Sequence, residues 1–331
     1  MRRLLLCGLI APALTGCVRW SPPVMDTTAG GSCRSASLRW IAPADVEERE
    51  RLASWCRGVG GAVIEPGPSG VQVPTLDDMT FVSWNVHAGN GDIRAFVRDL
   101  RAGLHTDQRK VEHFTLMLQE AVRTEGVPPF VDGASGGAYI SPHVDGVIDI
   151  VTVSQELGLS LIYVPSMRNG RSSEDPAADR GSAILSTFPL SEPVAVELPG
   201  ERQRRVMIVA KLAAVSVGVI HLDALGGVKR LWAFWTPWMR DVQVRSLEAL
   251  LGDGPLVLGA DLNTWHGIDE RAVRFLAKLP RATPVSLERQ GLGLRVLDYL
   301  FFRAGENRRA RYRQLSQRYG SDHRPLVGWI E

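Results

Sequence analysis

The feature that most constrains the fold of this chain is a long series of short apolar segments separated by turn residues. Seven examples are FVSWN, HFTLMLQE, SLIYVPS, SAILST, RVMIVAKL, AVSVGVIHL and PLVLGAD. Their length and composition are typical of buried β-strands. Helical patterns such as GDIRAFVRDLRAG, with apolar residues on one face, lie between some of them. Two strand-rich halves with helices outside predict an α/β fold built on two packed sheets.

Polar residues recur at the ends of these strand-like segments. They are Asn85, Glu120, His221, Asp261, Asn263, Asp298, and the pair Asp322 and His323 just before the last strand. If two sheets lie face to face, strand ends of this kind can converge on one rim. Any one of these residues could simply cap a strand or a turn. Their joint recurrence favours a functional site at the rim.

Composition narrows the partners of the chain only slightly. Of its 331 residues, 45% are hydrophobic and 22% charged, which is ordinary for a globular protein. The formal net charge of +2 gives no chain-wide attraction to nucleic acid. Function therefore has to be inferred from the local site.

The N-terminus, MRRLLLCGLIAPALTGCVRW, has the pattern of a secretory signal: two arginines, a short apolar run and small residues. The residues before Cys17 resemble the bacterial lipoprotein processing box, in which the cysteine becomes lipidated. We therefore expect residues 1–17 to be a lipoprotein signal peptide and the protein to be exported and membrane-anchored, facing the periplasm. The alternative is a buried N-terminal helix with an incidental cysteine.

Export changes the interpretation of the remaining cysteines. Cys7 would leave with the signal peptide and Cys17 would carry lipid, which leaves Cys33 and Cys56 as a disulfide candidate. Two free thiols are the alternative. We expect residues 18–75 to comprise a tether and a small helical segment, with a helix over 43–57, and the main domain to span 76–331.

Motifs that follow one another from residue 81 to the C-terminus carry a family resemblance. In order they are WNVH, LQE, RGSAILSTFPL, IHLDA, LGADLNT, LDYLFF and SDHRPL. They resemble the endonuclease/exonuclease/phosphatase family, which includes pancreatic deoxyribonuclease, apurinic endonucleases, neutral sphingomyelinases and inositol polyphosphate 5-phosphatases. The resemblance implies a four-layer α/β sandwich of two mixed sheets flanked by helices. One departure is Ala260, where the family commonly has glycine before the aspartate.

The residue types suit phosphoester hydrolysis, which needs a cation, an activated water and donors for developing charge. Glu120 offers a hard carboxylate for Mg²⁺ or Mn²⁺, with Asn85 and Asp322 as neighbours. Asp298 can accept a hydrogen bond from one ring nitrogen of His323 and leave the other facing substrate. His323 could then act as a general base or as a cationic stabiliser.

The resemblance assigns further roles. It implies that Asp261 activates or orients the water, that Asn263 holds the phosphate and that His221 adds a second imidazole beside the phosphoryl oxygens. Arg180, which follows a polar loop, is expected to bind substrate.

The sequence therefore predicts a divalent-metal-dependent phosphoesterase, monomeric, with a nuclease-type phosphodiesterase as the first expectation. A phospholipid or sphingomyelin phosphodiesterase acting at the membrane surface is one alternative, and a non-catalytic binding lipoprotein is another. The Trp-rich segment 232–238 could enter a bilayer or stack on a ligand, or could pack at the start of a helix. The basic segment RRARYRQLSQR could contact phosphates or form a solvated edge strand.

Overall fold

The computed structural model describes most of the chain. The described residues are 23–27, 38–68, 75–134, 146–170, 172–201, 203–224, 232–248, 250–264, 266–278, 297–304 and 308–331, with backbone only for 232–236. Cys17 and Cys33 lie outside them, as does the predicted signal peptide. The lipidation and the Cys33–Cys56 disulfide therefore stay predictions.

The described residues form fourteen β-strands and five α-helices. The strands are β1 Met25–Asp26, β2 Arg39–Pro43, β3 Val63–Glu65, β4 Thr80–Asn85, β5 Phe114–Arg123, β6 Ser160–Asn169, β7 Ala178–Ser186, β8 Ser191–Leu198, β9 Arg205–Leu212, β10 Val215–His221, β11 Leu256–Asp261, β12 Asp298–Arg303, β13 Ala310–Gln314 and β14 Leu326–Ile330. The helices are α1 Val46–Cys56, α2 Ile93–Arg101, α3 Ile150–Leu157, α4 Trp232–Arg245 and α5 Arg271–Lys278. Within the described residues, no helix is both long enough and apolar enough to cross a membrane.

The strands form two seven-stranded mixed sheets, which confirms the predicted architecture. Sheet I has the order β1-β2-β8-β9-β10-β11-β12, and sheet II has the order β13-β14-β4-β5-β7-β6-β3. The pairs β2–β8, β10–β11 and β4–β5 are parallel, and the other neighbours are antiparallel.

The described residues form three apolar clusters, one at each interface between the four layers. Phe81 of sheet II and Ile208 of sheet I belong to the cluster between the sheets. On the outer face of sheet II, Phe96 of α2 packs in a cluster with neighbouring strand residues. On the outer face of sheet I, Val273 and Leu276 of α5 do the same. Burial of apolar side chains at all three interfaces is the main term that holds the layers together.

Local sequence signals set the ends of the helices near the site. The Asp92 carboxylate caps α2 by accepting a hydrogen bond from the Ala95 amide at 2.9 Å. Asp149 caps α3 in the same way, and Gly158 ends that helix with a left-handed φ of 65°. Helix α4 begins at Trp232 and so includes the Trp-rich segment 232–238. The Trp-rich segment is therefore the first part of a helix.

The segment before residue 76 contributes to both sheets. Strand β2 pairs in parallel with β8 of sheet I, and β3 pairs with β6 at the edge of sheet II. Helix α1, expected over 43–57, spans Val46–Cys56 between these two strands. The basic segment near the C-terminus forms the edge strand β13, which agrees with one of its two predicted interpretations.

Candidate active site

The two sheets bring the predicted polar residues together at one rim. His221 ends β10, Asp261 ends β11 and Asp298 begins β12, and these three are direct cross-strand neighbours in sheet I. Asn85 ends β4 of sheet II, which packs against sheet I. Because β12 runs antiparallel to β11, the start of β12 lies at the same edge as the ends of the other strands, and the four side chains meet across the sheet interface.

The Asp261 carboxylate lies at the centre of this group. Its Oδ2 atom accepts a hydrogen bond from Asn85 Nδ2 at 2.8 Å. The same oxygen lies 3.4 Å from His221 Nε2 and 3.9 Å from His323 Nε2. Its Oδ1 atom accepts from the Asn263 amide at 2.9 Å. One carboxylate therefore faces two imidazoles and an amide from both sheets.

His323 is held by Asp298. Its Nδ1 atom lies 3.0 and 2.8 Å from the two carboxylate oxygens of Asp298. Burial alone would lower the pKa of the imidazole, but Asp298, with help from Asp261 and Asp322, raises that pKa to about 10. His323 is therefore a cation at neutral pH, with its Nε2–H directed to the side of Asp261.

His221 is paired with a cationic side chain, whereas His323 is paired with a carboxylate. Its Nδ1 atom lies 3.0 Å from Nη1 of the buried Arg205, whose Nη2 donates to Gln203 Oε1 at 3.0 Å. A guanidinium can only donate, so Nδ1 must accept and the ring proton resides on Nε2. Burial, reinforced by the charge of Arg205, lowers the pKa of His221 well below its usual value. His221 is therefore a neutral imidazole with an Nε2–H toward Asp261.

The Asp261 carboxyl has its own pKa shift. Burial raises its pKa, the His323 cation lowers it and Asp298 raises it, and the net result is a pKa of about 6. At neutral pH most of the carboxylate is ionised, yet it is basic enough to accept a proton. These are the properties needed in a general base that takes a proton from water.

Glu120 is placed by an irregularity in strand β5. The register between β5 and β7 shifts between Leu118 and Ala121, and Glu120 has a φ of 55°, which is uncommon for a residue with a Cβ. Its Oε2 atom accepts from the Ala88 amide at 3.1 Å and lies 3.5 Å from Arg180 Nη1. Such backbone irregularities are often found at functional sites.

Glu120 is ionised despite its surroundings. Burial would raise the pKa of its carboxyl, but the charges of Arg180 and Arg205, with smaller contributions from two histidines, bring the pKa below its usual value. Its side chain nevertheless remains 22% exposed, so that one carboxylate can reach a bound ion or substrate. Arg180, which the sequence analysis expects to bind substrate, lies beside this carboxylate.

The three residues predicted to hold the metal all contact the short turn after β4. Asn85 Oδ1 accepts from the His87 amide at 2.9 Å, and Glu120 binds the next amide along. Asp322 Oδ1 lies 2.5 Å from His87 Nδ1 and its side chain is 58% exposed. Carboxylate and amide oxygens gathered around one turn fit the hard-oxygen preference of Mg²⁺ and Mn²⁺.

Among the described residues, a second group also has metal-like spacing. Ligand atoms of Asp261, Asp298 and His323 lie within 4.8 Å of one another. However, both carboxylate oxygens of Asp298 already contact His323 Nδ1, at 3.0 and 2.8 Å, so these ligand atoms are engaged with each other. The Glu120 side of the site is the better fit for a cation.

Sequence reasoning missed three residues at the rim. Arg205 sets the state of His221, and His87 contacts Asp322. Ser321 donates to the Asn85 carbonyl at 2.6 Å and accepts from the His323 amide at 3.0 Å. His87 and Ser321 lie inside or next to the quoted motifs, whereas an arginine at the start of an apolar strand gives no local signal.

The site can be compared with known proteins. The model of the "Endonuclease/Exonuclease/phosphatase family" matches residues 82–323. The human Nocturnin catalytic domain with bound sulfate anion is similar at 14% identity and a TM-score of 0.50, over 82% of this chain and 97% of that chain. No curated protein sequence matches the chain significantly.

Two bacterial structures are similar over less of this chain. Sphingomyelinase C from Streptomyces griseocarneus has 16% identity and a TM-score of 0.41, over 76% of this chain and 98% of that chain. The 3'-5' exonuclease NExo from Neisseria meningitidis has 16% identity and a TM-score of 0.44, over 76% and 100%. At 14% identity the likeness to the Nocturnin domain concerns the fold alone, whereas the family model matches residues 82–323 of the sequence.

Proposed function

The chain belongs to the endonuclease/exonuclease/phosphatase family, and from this premise we propose that it hydrolyses phosphodiester bonds of nucleic acid. It is a metal-dependent phosphoesterase by family. The observation that carries the proposal is the convergence on Asp261 Oδ2 of Asn85, His221 and His323, at 2.8, 3.4 and 3.9 Å. The members of this group differ in charge and protonation state, as acid–base chemistry requires.

In the proposed reaction, water attacks phosphorus and the bond from phosphorus to the leaving oxygen breaks. Asp261 takes the proton of the attacking water, and the leaving oxygen receives a proton from solvent. The His323 cation and the neutral His221 Nε2–H donate to the phosphoryl oxygens, where negative charge builds up. Asn263 is assigned to the same phosphate, and Arg180 to substrate binding.

Glu120, Asn85 and Asp322 are the residues that would hold the cation. Mg²⁺ fits this donor set, with Mn²⁺ as the alternative. When bound, such an ion neutralises charge on the phosphoryl group. The lowered pKa of Glu120 supports this assignment, because a carboxylate must be ionised to bind a cation.

The test compares Glu120→Gln with the matched control Glu125→Gln, which changes an exposed glutamate close by on the chain. We expect Glu120→Gln to raise the Mg²⁺ concentration for half-maximal activity by on the order of tenfold or more, with an unchanged melting temperature. The control should behave like the parent. Parental activity at parental metal concentration in Glu120→Gln would remove Glu120 from the metal site.

The substrate is tested on plasmid DNA, sphingomyelin vesicles and bis(p-nitrophenyl) phosphate, each with Mg²⁺ and with chelator. The proposal requires metal-dependent cleavage of DNA. Preference for sphingomyelin would favour the second candidate, a phospholipid phosphodiesterase, which is motivated by the lipoprotein-like Cys17. Failure to hydrolyse any diester would favour a binding protein that keeps the fold.

We also propose that the protein is an exported, monomeric lipoprotein anchored through Cys17, with a Cys33–Cys56 disulfide. The basic, apolar and small-residue order of the N-terminus supports export. Cys17→Ser should move the protein from the membrane fraction to the soluble fraction, as followed by fractionation and immunoblotting. Retention of the serine variant in membranes would contradict the anchor.

A further inference from the structure

A shallow groove on the outer face of sheet I lies between helices α4 and α5. Its lower part is lined by Arg245, Arg271, Arg274, Lys278 and Phe275. Arg271 and Arg274 also line its upper part, together with Trp238, His266 and three acidic residues, Asp241, Asp269 and Glu270. We call this surface the α5 groove. Four cations surround its lower part, and none of the residues lining that part is acidic.

The positive charge of the lower part of the α5 groove is largely unmatched. Within the described residues, Arg271, Arg274 and Lys278 form no ion pair, although Arg271 and Arg274 are exposed at positions three apart on one helix. Arg245 pairs with Asp241 at 3.0 Å and lies 5.0 Å from the ring of Phe275. Like charges on one helix face repel, and an anion placed among them would relieve that repulsion.

The edge strand β13 makes an informative contrast, because arginines in and beside it do have acidic partners. Arg308 pairs with Asp77 at 3.3 Å, Arg311 with Glu331 at 2.9 Å and Arg313 with Asp107 at 2.6 Å. The protein therefore neutralises basic residues on one surface and leaves them unneutralised on another. An unneutralised set is the one available to an external polyanion.

The α5 groove is also joined to the catalytic rim. Strand β11 ends at Asp261, and His266 and Asp269 at the upper end of the groove follow within a few residues of the sequence. Glu270 anchors this connection, since it accepts from Arg240 at 2.8 Å and from the His266 amide at 3.3 Å. Arg240 Nη1 also donates to the Asp223 carbonyl, two residues after His221, at 3.4 Å.

We propose that the α5 groove binds the phosphate backbone of a nucleic-acid strand that extends beyond the scissile bond. This inference rests on the proposed nuclease function and specifies the size of its substrate. Several cations side by side in the lower part of the groove suit a chain with regularly spaced phosphates better than a single phosphoryl group. A bilayer surface would instead require a flat face rather than a groove between two helices.

The experiment measures binding of a fluorescein-labelled single-stranded 20-nucleotide DNA by anisotropy at several salt concentrations, in the presence of chelator so that no cleavage occurs. The variant R271E/R274E is compared with the control R311E/R313E, which makes the same change of net charge on β13. Thermal melting checks that both variants are folded. Vesicles containing phosphatidylglycerol are tested in parallel by sedimentation.

We expect R271E/R274E to weaken DNA binding at least about tenfold at low salt and to reduce the slope of log K against log salt by about 1.5, as for two lost phosphate contacts. The control should stay within about twofold of the parent. Equal losses in both variants, no loss in either, or a loss confined to vesicle binding would each overturn the proposal. Hydrolysis of bis(p-nitrophenyl) phosphate by the parent separately tests the proposed function, so the two failures are distinguishable.

Discussion

Two histidines face the same carboxylate oxygen from opposite sides, and their surroundings give them opposite protonation states. His323, from the loop before β14 of sheet II, is paired with Asp298 and has a pKa raised to about 10. His221, at the end of β10 in sheet I, accepts from Arg205 and has a strongly lowered pKa. Both side chains are buried, at 10% and 8% exposure. The difference therefore comes from the sign of the neighbouring charge rather than from burial.

The two histidines therefore have different roles in the site. The His323 side supplies a full positive charge, whereas the His221 side supplies a directed neutral donor. A site with two cationic imidazoles would lower the pKa of Asp261 and weaken it as a base. A site with two neutral imidazoles would lack a charge to match the developing negative charge on the phosphoryl oxygens.

The largest effect is expected when the His323 side is broken. His323→Ala should lower turnover on the order of a hundredfold or more, because a positioned charged group is lost. Adding Asp298→Ala should cost little more, since Asp298 acts through the imidazole and the two residues form one unit.

Rates and melting temperatures measured on the same preparations test this pairing. Losses that multiply in the double variant would show that Asp298 acts independently of His323. Near-normal turnover with a lowered melting temperature would mean that the pair only anchors the last strand.

A smaller effect is expected on the His221 side, from changes of Arg205. Arg205→Leu removes the donor to Nδ1 and the buried charge, so the pKa of His221 should rise and turnover should fall about tenfold. Arg205→Gln keeps a donor without charge and should retain more activity.

Nitrogen chemical shifts of the His221 ring report its tautomer directly. In the parent, Nε2 should carry the proton, and in Arg205→Leu both tautomers should appear. A parental tautomer and rate in Arg205→Leu would mean that Arg205 does not set the state of His221.

The smallest effect is the change of rate with pH between the pKa of Asp261 and the pKa of His323. The rate should fall as pH drops through about 6, where Asp261 becomes protonated, and should fall again as pH rises through about 10, where His323 loses its proton. Between pH 7 and 9 it should vary by no more than about twofold. The rate is measured in buffers of constant ionic strength, because salt alone alters substrate binding.

The same pKa of His323 bears on stability. Its folded-state pKa of about 10 lies above the unfolded value near 6.5, so protonation contributes stability that is complete below the unfolded value. That contribution is lost as pH rises through about 10. In His323→Ala the free energy of unfolding should therefore fall less steeply as pH rises toward 10. An unchanged fall would mean that another group causes it.

The sequence predicted much of this arrangement because strand ends are marked locally. Asn85, His221 and Asp261 each follow an apolar strand, and sheet pairing then places such ends side by side. The pairing of Asp298 with His323 was predicted from residue types and family resemblance, and the structure places their side chains in contact. These site assignments remain to be tested by the variants above.

Other features could not be predicted because they depend on distant contacts. Strand β2 pairs with β8, which is far away in sequence, and no local pattern specifies that register. Arg205 lies where a strand begins, and only the fold shows that its guanidinium reaches His221. The sequence also left the Trp-rich segment 232–238 open, because aromatic residues give a weak helical signal, whereas the structure includes it in helix α4.

The extra residue in β5 separates two routes by which this family member could lose its activity. Leu118 and Ala121 are opposite Ala183 and Gly181 of β7, so three steps on one strand match two on the other. A substitution at Glu120 would remove the carboxylate but keep the interruption in the ladder. Loss of the Glu120 codon would instead let the ladder run through without a residue at φ 55°. In evolutionary terms, a one-codon deletion could yield an inactive descendant with a more regular sheet, which binds without cleaving.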